Sequence, residues 1–284
     1  MLMCYNSHIK TKAHIGLSLH YGGVKMNARY WMKSDEFSMT YDDWMTFEDV
    51  QIEQTFVAKD IALLAETKYP ENISKEIDQT FDFMYDKALA THQKLAMMMF
   101  AKSKLKEVKA DFESTQNMTC PALYGVSKTM ILFYFESMIV FARNALDVAA
   151  YVYSDILFGQ RKDSYNDVIK KVKKTDDPLY HDFQSFLETA YDEDSSEILA
   201  LRLLCGTERG RALRDTIVHQ ANVNMGYYEY KEGSEKEHLF LELKNYEPID
   251  MDMFIDDFTD DVLRIFEETS NCCRRKLEAE SSSH

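Results

Sequence analysis

The chain has 284 residues and a hydrophobic fraction of 45%, which excludes bulk disorder and allows one large or two ordinary domains. Lys and Arg number 33 against 48 Asp and Glu, and the net charge of −15 excludes a protein that coats nucleic acid non-specifically, although not one with a local basic site. With 9 Gly and 4 Pro, the chain has few turn residues, and this favours long helices over a β-sandwich or barrel.

The first half of the chain predicts an N-terminal extension with a β-hairpin, followed by three helices. Gly22-Gly23 lies among apolar residues that roughly alternate, the pattern of a tight hairpin turn. Pro70 separates the first two helices, and Pro121 suits the first position of the third. The middle of that third helix is apolar on all sides, as in the central helix of a bundle. The predicted ranges are 1–46 for the extension with its hairpin at 15–32, then about 47–68, 73–114 and 121–158 for the helices.

The second half predicts shorter helices, a second hairpin and a long terminal helix. Asp177-Pro178 begins one helix, and Gly206 ends the next. Alternating apolar residues on both sides of Glu232-Gly233-Ser234 predict the hairpin. The terminal helix is amphipathic with a very acidic face, and its tail over 272–284 is expected to be frayed. The predicted ranges are about 176–191, 195–205 and 209–220 for the shorter helices, 221–247 for the hairpin and 248–284 for the terminal helix with its tail.

These elements predict an all-α fold, an up-and-down helical bundle over 47–220 with short β-hairpin decorations. The most apolar stretch, Met130 to Ala142, contains Glu136 and is followed by Arg143 and Asp147, so we expect a buried core helix and no membrane span. The five cysteines form no CxxC pair, which argues against structural zinc and a disulfide framework. A reducing, cytoplasmic location is therefore expected.

One segment carries the residues of an acid–base site. Arg214, Asp215 and His219 lie in the predicted helix 209–220, and Arg211 precedes Arg214 by about one turn. Arg214 and His219 are separated by about 140° around a helix, so they either flank a groove or converge on a site that a second copy completes. Asp215 shares a face with His219 and can orient the imidazole and favour its protonated form. An imidazole, a carboxylate and a permanent cation can together handle a phosphodiester.

The pattern Arg214-Asp215-x3-His219 resembles the Arg-x4-6-His signature of HEPN (higher eukaryotes and prokaryotes nucleotide-binding) domains. A long apolar helix carrying 142–147 ahead of the helix with the motif also resembles HEPN bundles, so the resemblance covers about 121–220. It implies an all-α up-and-down bundle, commonly a homodimer whose two motifs face each other. Many members are metal-independent ribonucleases that leave a 2′,3′-cyclic phosphate and act as toxins or in antiphage defence. Other members are inactive scaffolds or nucleotide binders.

Arg143 and Asp147 form a second polar pair, four residues apart in the otherwise apolar helix. One interpretation is an intrahelical salt bridge that is partly buried in the bundle. The other is a polar pair that approaches the motif helix and positions Arg214 or His219. Charged groups among apolar neighbours need partners, so both interpretations predict a local polar network.

The leading hypothesis is a homodimeric HEPN-type endoribonuclease that needs no metal or cofactor. His219 would be the general acid and base, Arg214 would stabilise charge on the phosphate, and Asp215 would orient His219. RNA is then the substrate, with an antitoxin or a defence complex as a further partner. One rival is a non-catalytic helical interaction or scaffold protein, in which Arg214 and His219 are a helix-end ion pair and a capping residue. Another rival is a nucleotide-binding or nucleotidyl-modified HEPN partner.

Overall fold

Seven α-helices and one small antiparallel sheet make up the part of the chain that the computed structural model describes. All of it belongs to one compact unit within Met39–His284. The described residues are 51–70, 73–115, 126–191, 199–206, 212, 215, 224–229, 237–242 and 249–282. The helices are α1 Gln51–Lys68, α2 Lys75–Thr115, α3 Val126–Phe158, α4 Tyr165–Val172, α5 His181–Tyr191, α6 Leu199–Cys205 and α7 Met251–Ser281. The predicted all-α class is confirmed, whereas the hairpin predicted over 15–32 lies outside the described residues.

The long helices α2 and α3 pack against each other, and α3 also contacts α1, α4, α6 and α7. Small residues line the core side of α3 and let its neighbours approach closely. They are fully buried and include Ala142, Ala145, Ala149 and Ala150. By length and composition, Lys128–Phe158 is the one helix in the described part of the chain that could cross a membrane. Here its buried side chains face other helices, as predicted for a core helix.

Helix α7 begins where the sequence predicts but is longer than expected. The Asp250 carboxylate caps it, since Oδ1 accepts hydrogen bonds from the backbone nitrogens of residues 252 and 253 at 2.8 and 3.3 Å. The prediction of a frayed tail from Cys272 is wrong, because the helix continues to Ser281 and buries Cys272, Cys273 and Leu277. The two thiols and the leucine extend the apolar face of α7. Ion pairs of Glu280 with Lys68 and of Arg274 with Asp60 join the end of α7 to α1.

The region between α3 and α6 contains one helix that the sequence analysis missed. Helix α4 has only eight residues, too few to give a clear periodic signal, although it buries four of them: Tyr165, Val168, Ile169 and Val172. The helix start predicted at Asp177-Pro178 is confirmed. Asp177 caps a 3-10 turn, Pro178–Tyr180, by accepting from the nitrogen of Leu179 at 3.0 Å, and α5 follows directly.

The sheet follows α6 and leads into α7. Strands β1 (Asn224–Glu229) and β2 (Glu237–Glu242) are antiparallel, with Met225 opposite Leu241 and Tyr227 opposite Leu239, so the predicted hairpin is confirmed over these residues. A third strand, β3 (Ile249–Asp250), pairs with β2 and was not predicted, because two residues carry no alternation. Strand β2 packs against α7, which attaches the sheet to the bundle.

Candidate functional site

Arg143 is the centre of a buried polar cluster on α3. Its residue surface is 7% exposed, although its guanidinium is a permanent cation. Asp147, one turn further along α3, receives two hydrogen bonds from it: Nε to Oδ2 and Nη2 to Oδ1, both at 2.9 Å. This bidentate geometry is the strong form of an Arg–carboxylate pair. The predicted intrahelical salt bridge is therefore present, and its cation is buried.

Asp147 has a second function, because it also accepts a hydrogen bond from outside its helix. Its Oδ1 lies 2.9 Å from the backbone nitrogen of Tyr165, the first residue of α4. The side chain of Ser164, at the N-cap position, makes no capping bond and instead lies 3.3 Å from Arg143 Nη2. Asp147 therefore supplies the negative charge that favours the start of α4, a function usually performed by a residue next to the helix.

The other half of the guanidinium holds the end of α6. Arg143 Nη1 donates to the carbonyl oxygen of Leu204 at 3.1 Å and lies 3.0 Å from Cys205 Sγ. Asn166 links the two sides, since its Oδ1 accepts from the same nitrogen at 3.0 Å and its amide donates to the carbonyl of Cys205 at 3.4 Å. A cation and an amide at the last carbonyls stabilise the C-terminus of a helix. Gly206, at φ +78°, then ends α6 as the sequence predicts.

Every donor of Arg143 is occupied by these contacts. A guanidinium has five N–H groups: the carboxylate accepts from Nε and Nη2, the hydroxyl accepts from Nη2, and the amide oxygen, the carbonyl and the sulfur share the two N–H groups of Nη1. Arg143 therefore has no spare donor for a substrate phosphate. Its function is to join α3, the start of α4 and the end of α6, which makes it a positioning residue.

The electrostatics of the cluster keep Arg143 charged and Cys205 neutral. Burial lowers the pKa of Arg143, but the charge and hydrogen bond of Asp147 and the charge of Asp215 oppose this effect, and the pKa is raised overall. Burial raises the pKa of the Cys205 thiol to about 11, against the lowering effect of Arg143. A thiol with that pKa is almost wholly protonated at neutral pH, so Cys205 is not an activated nucleophile.

Asp215 is the one predicted catalytic residue that the structure describes. It is half-buried, and its nitrogen donates to the carbonyl oxygen of Ala212 at 3.0 Å. Its negative charge contributes to the raised pKa values of both Arg143 and Cys205. The remaining predicted site residues, Arg211, Arg214 and His219, lie outside the described residues.

The cluster also contains residues that the sequence analysis missed. Three side chains contact Arg143 from 21 to 62 residues away in sequence, and no local sequence pattern predicts such contacts. They are Ser164, Asn166 and Cys205. Burial also raises the pKa of Tyr191 on α5, and Arg143 opposes the rise. The one usable signal in the sequence was the charged pair Arg143 and Asp147 in an otherwise apolar helix, which needs further partners.

The arrangement is a buried polar network that joins α3, the start of α4 and the end of α6. Among the residues that the structure describes, no group of three or more His, Cys, Asp or Glu side chains is placed to hold a metal ion.

Comparisons of the chain with protein-family models, with curated proteins and with solved structures find no match.

Proposed function

We propose that this protein is a metal-independent endoribonuclease of the HEPN type, acting as a toxin or in antiphage defence. The observation that supports this best is the charge of Asp215, which adds to the raised pKa values of Arg143 and Cys205 in the buried cluster. The cluster fixes the end of α6, and the chain passes from there into the motif after only a few residues. A buried network at that point supports the geometry that acid–base chemistry requires.

In this proposal His219 takes the proton of the ribose 2′-hydroxyl, and the 2′-oxygen attacks the adjacent phosphorus. The bond from phosphorus to the 5′-oxygen breaks, and that oxygen receives a proton. The products are a 2′,3′-cyclic phosphate and a 5′-hydroxyl. Arg214 stabilises the additional negative charge on the phosphate in the transition state, and Asp215 orients His219 and favours its protonated form.

A composite site at a twofold axis fits the helical spacing of the motif. On the helix predicted over 209–220, the spacing of Arg214 and His219 separates them by about 140°, so two facing copies would place an Arg and a His from different subunits on one phosphate. The partner subunit's His219 would then protonate the leaving oxygen. We expect a C2 homodimer, and light scattering at micromolar concentration measures it directly. A monomer would contradict the composite site.

The test of the chemistry is RNA cleavage by the wild type and by Arg214→Ala and His219→Ala variants, with and without EDTA. Each substitution should reduce the rate by at least about 100-fold, the low end of what acid–base catalysis contributes, while EDTA should have no effect. His181→Ala is the matched control, because His181 is exposed at the start of α5 and belongs to no part of the proposed site. Cleavage that needs a metal, or that survives His219→Ala, would refute the mechanism.

A second candidate is a non-catalytic interaction protein, and the surface of α7 favours it. Asp257, Asp260 and Glu267 are exposed carboxylates along this helix, and Asp252 and Asp256 are also exposed but pair with Lys109 and Lys106 of α2. Such a face suits a basic partner, for example an antitoxin or a component of a defence complex. Absence of cleavage by the wild type, together with melting temperatures lowered by Arg214→Ala and His219→Ala, would favour this candidate.

A further inference from the structure

One segment of this acidic chain is strongly basic. Residues 161–174 contain six cations and two carboxylates, whereas the whole chain has a net charge of −15. We call this stretch the basic segment. Its cations are Arg161, Lys162, Lys170, Lys171, Lys173 and Lys174, and its carboxylates are Asp163 and Asp167.

Three lysines of the basic segment, Lys170, Lys173 and Lys174, are exposed to solvent, whereas Lys162 and Lys171 are half-buried and Arg161 pairs with Asp155. Helix α4 buries its apolar residues against the bundle, so its lysines are left on the solvent side. The Lys170 side chain is 71% exposed and reaches Asp167 only at 4.0 Å. Lys173 and Lys174 are exposed just after the helix, and no carboxylate of the described part of the chain lies within ion-pair distance of either. Lys170 and Lys171 lie in the last turn of α4 and are enough to balance the helix dipole. Lys173 and Lys174 therefore need another explanation.

The basic segment is continuous with the buried cluster. Ser164 and Asn166, which contact Arg143, lie within it. At its other end the Lys173 ammonium lies 4.0 Å from the ring centre of Tyr191. Through Ser164 and Asn166, the basic segment therefore borders the buried cluster around Arg143.

We propose that the basic segment binds the phosphate backbone of single-stranded RNA, an inference that rests on the proposed function. Lysines act as mobile point charges that suit phosphates. Half-buried aromatic rings lie among them: Lys171 Nζ is 4.5 Å from the ring centre of Phe158, and Tyr191 lies under Lys173. Cations alternating with aromatic rings form the type of surface that binds single strands. A local positive field also offers RNA an approach to a chain that otherwise repels it.

The experiment measures binding separately from cleavage. The full-length His219→Ala variant, which should leave RNA intact, is titrated into a fluorescein-labelled, unstructured single-stranded RNA of about 20 nucleotides, and anisotropy is recorded over a range of salt. Lys173→Gln with Lys174→Gln should weaken binding about 25-fold at about 0.1 M NaCl, because each phosphate contact contributes a salt exponent of about 0.7. The slope of log affinity against log salt should fall by about 1.4.

The matched control is Lys104→Gln with Lys128→Gln, which removes the same charge near the other end of the α2–α3 pair. Binding should not change in that control. Loss of affinity confined to the first pair supports the basic segment even if the wild type never cleaves RNA, in which case only the proposed function fails. Equal losses in both pairs would overturn the inference while leaving any cleavage by His219 intact. Failure to bind this RNA, with salt-dependent binding of polyglutamate in its place, would overturn it in favour of an acidic protein partner.

Discussion

Replacing Arg143 with methionine tests whether the buried cluster holds the bundle together. Methionine keeps the length and the apolar stem but leaves Asp147 with a single partner, the nitrogen of Tyr165. Removing one member of a buried ion pair costs about 3–5 kcal/mol. The Asp147 side chain is 25% exposed, and water reaching it moves the estimate to the lower end, about 3 kcal/mol.

Chemical denaturation of the wild type and the variant at neutral pH gives the difference in unfolding free energy. Arg161→Met is the matched control: its side chain is 41% exposed, and its nitrogen is 3.7 Å from Asp155. That substitution should cost less than about 1 kcal/mol. Arg143→Lys should lose most of the stability of the cluster, because one ammonium cannot replace a fork that faces two helix ends. Equal losses for Arg143→Met and Arg161→Met would refute the assignment of Arg143 as a structural centre.

Three further outcomes follow from single residues. Burial raises the pKa of Glu136 above its ordinary value of 4.5, so its ionisation opposes folding above that pH; Glu136→Gln should raise the melting temperature at neutral pH, and the gain should vanish below about pH 4. An unchanged gain at acid pH would show that desolvation is not the cause. Leu277→Ala should cost about 2–4 kcal/mol in a denaturant titration, because Leu277 is 6% exposed, and a cost near zero would mean that the end of α7 frays in solution. Cys205→Ser should leave RNA cleavage within a few-fold of the wild type, since the thiol is neutral at pH 7; abolished cleavage in a folded variant would contradict this.

The long elements could be predicted from the sequence, because their signals are local. Pro70, Gly206 and the Asp177-Pro178 pair mark boundaries that the structure places where the sequence does. Helix α4 and strand β3 are too short for periodicity to accumulate. The end of α7 could not be predicted for a different reason. Cys272 and Cys273 are buried by packing in the tertiary fold, and the local sequence carries no signal for that packing.

The candidate site divides in the same way. The pairing of Arg143 with Asp147 follows from their spacing on one helix, and it is confirmed. The contacts with Asn166 and Cys205 depend on how α4 and α6 return to α3, which is a property of the tertiary fold. Sequence reasoning could state that the buried cation needs partners, but it had no means of naming them.

Asp250 both ends β3 and caps α7, so no linker separates the sheet from the last helix. Helix α7 also packs against α6 and β2. The segment between Gly206 and β1 contains Arg214 and His219. It begins after α6 and ends at the sheet, and both α6 and the sheet pack against α7. A rigid rotation of α7 would move both ends of this segment together. A kink within α7 would instead change the distance between the two ends. A partner bound to the acidic face of α7 would therefore contact the one helix on which both ends of this segment rest.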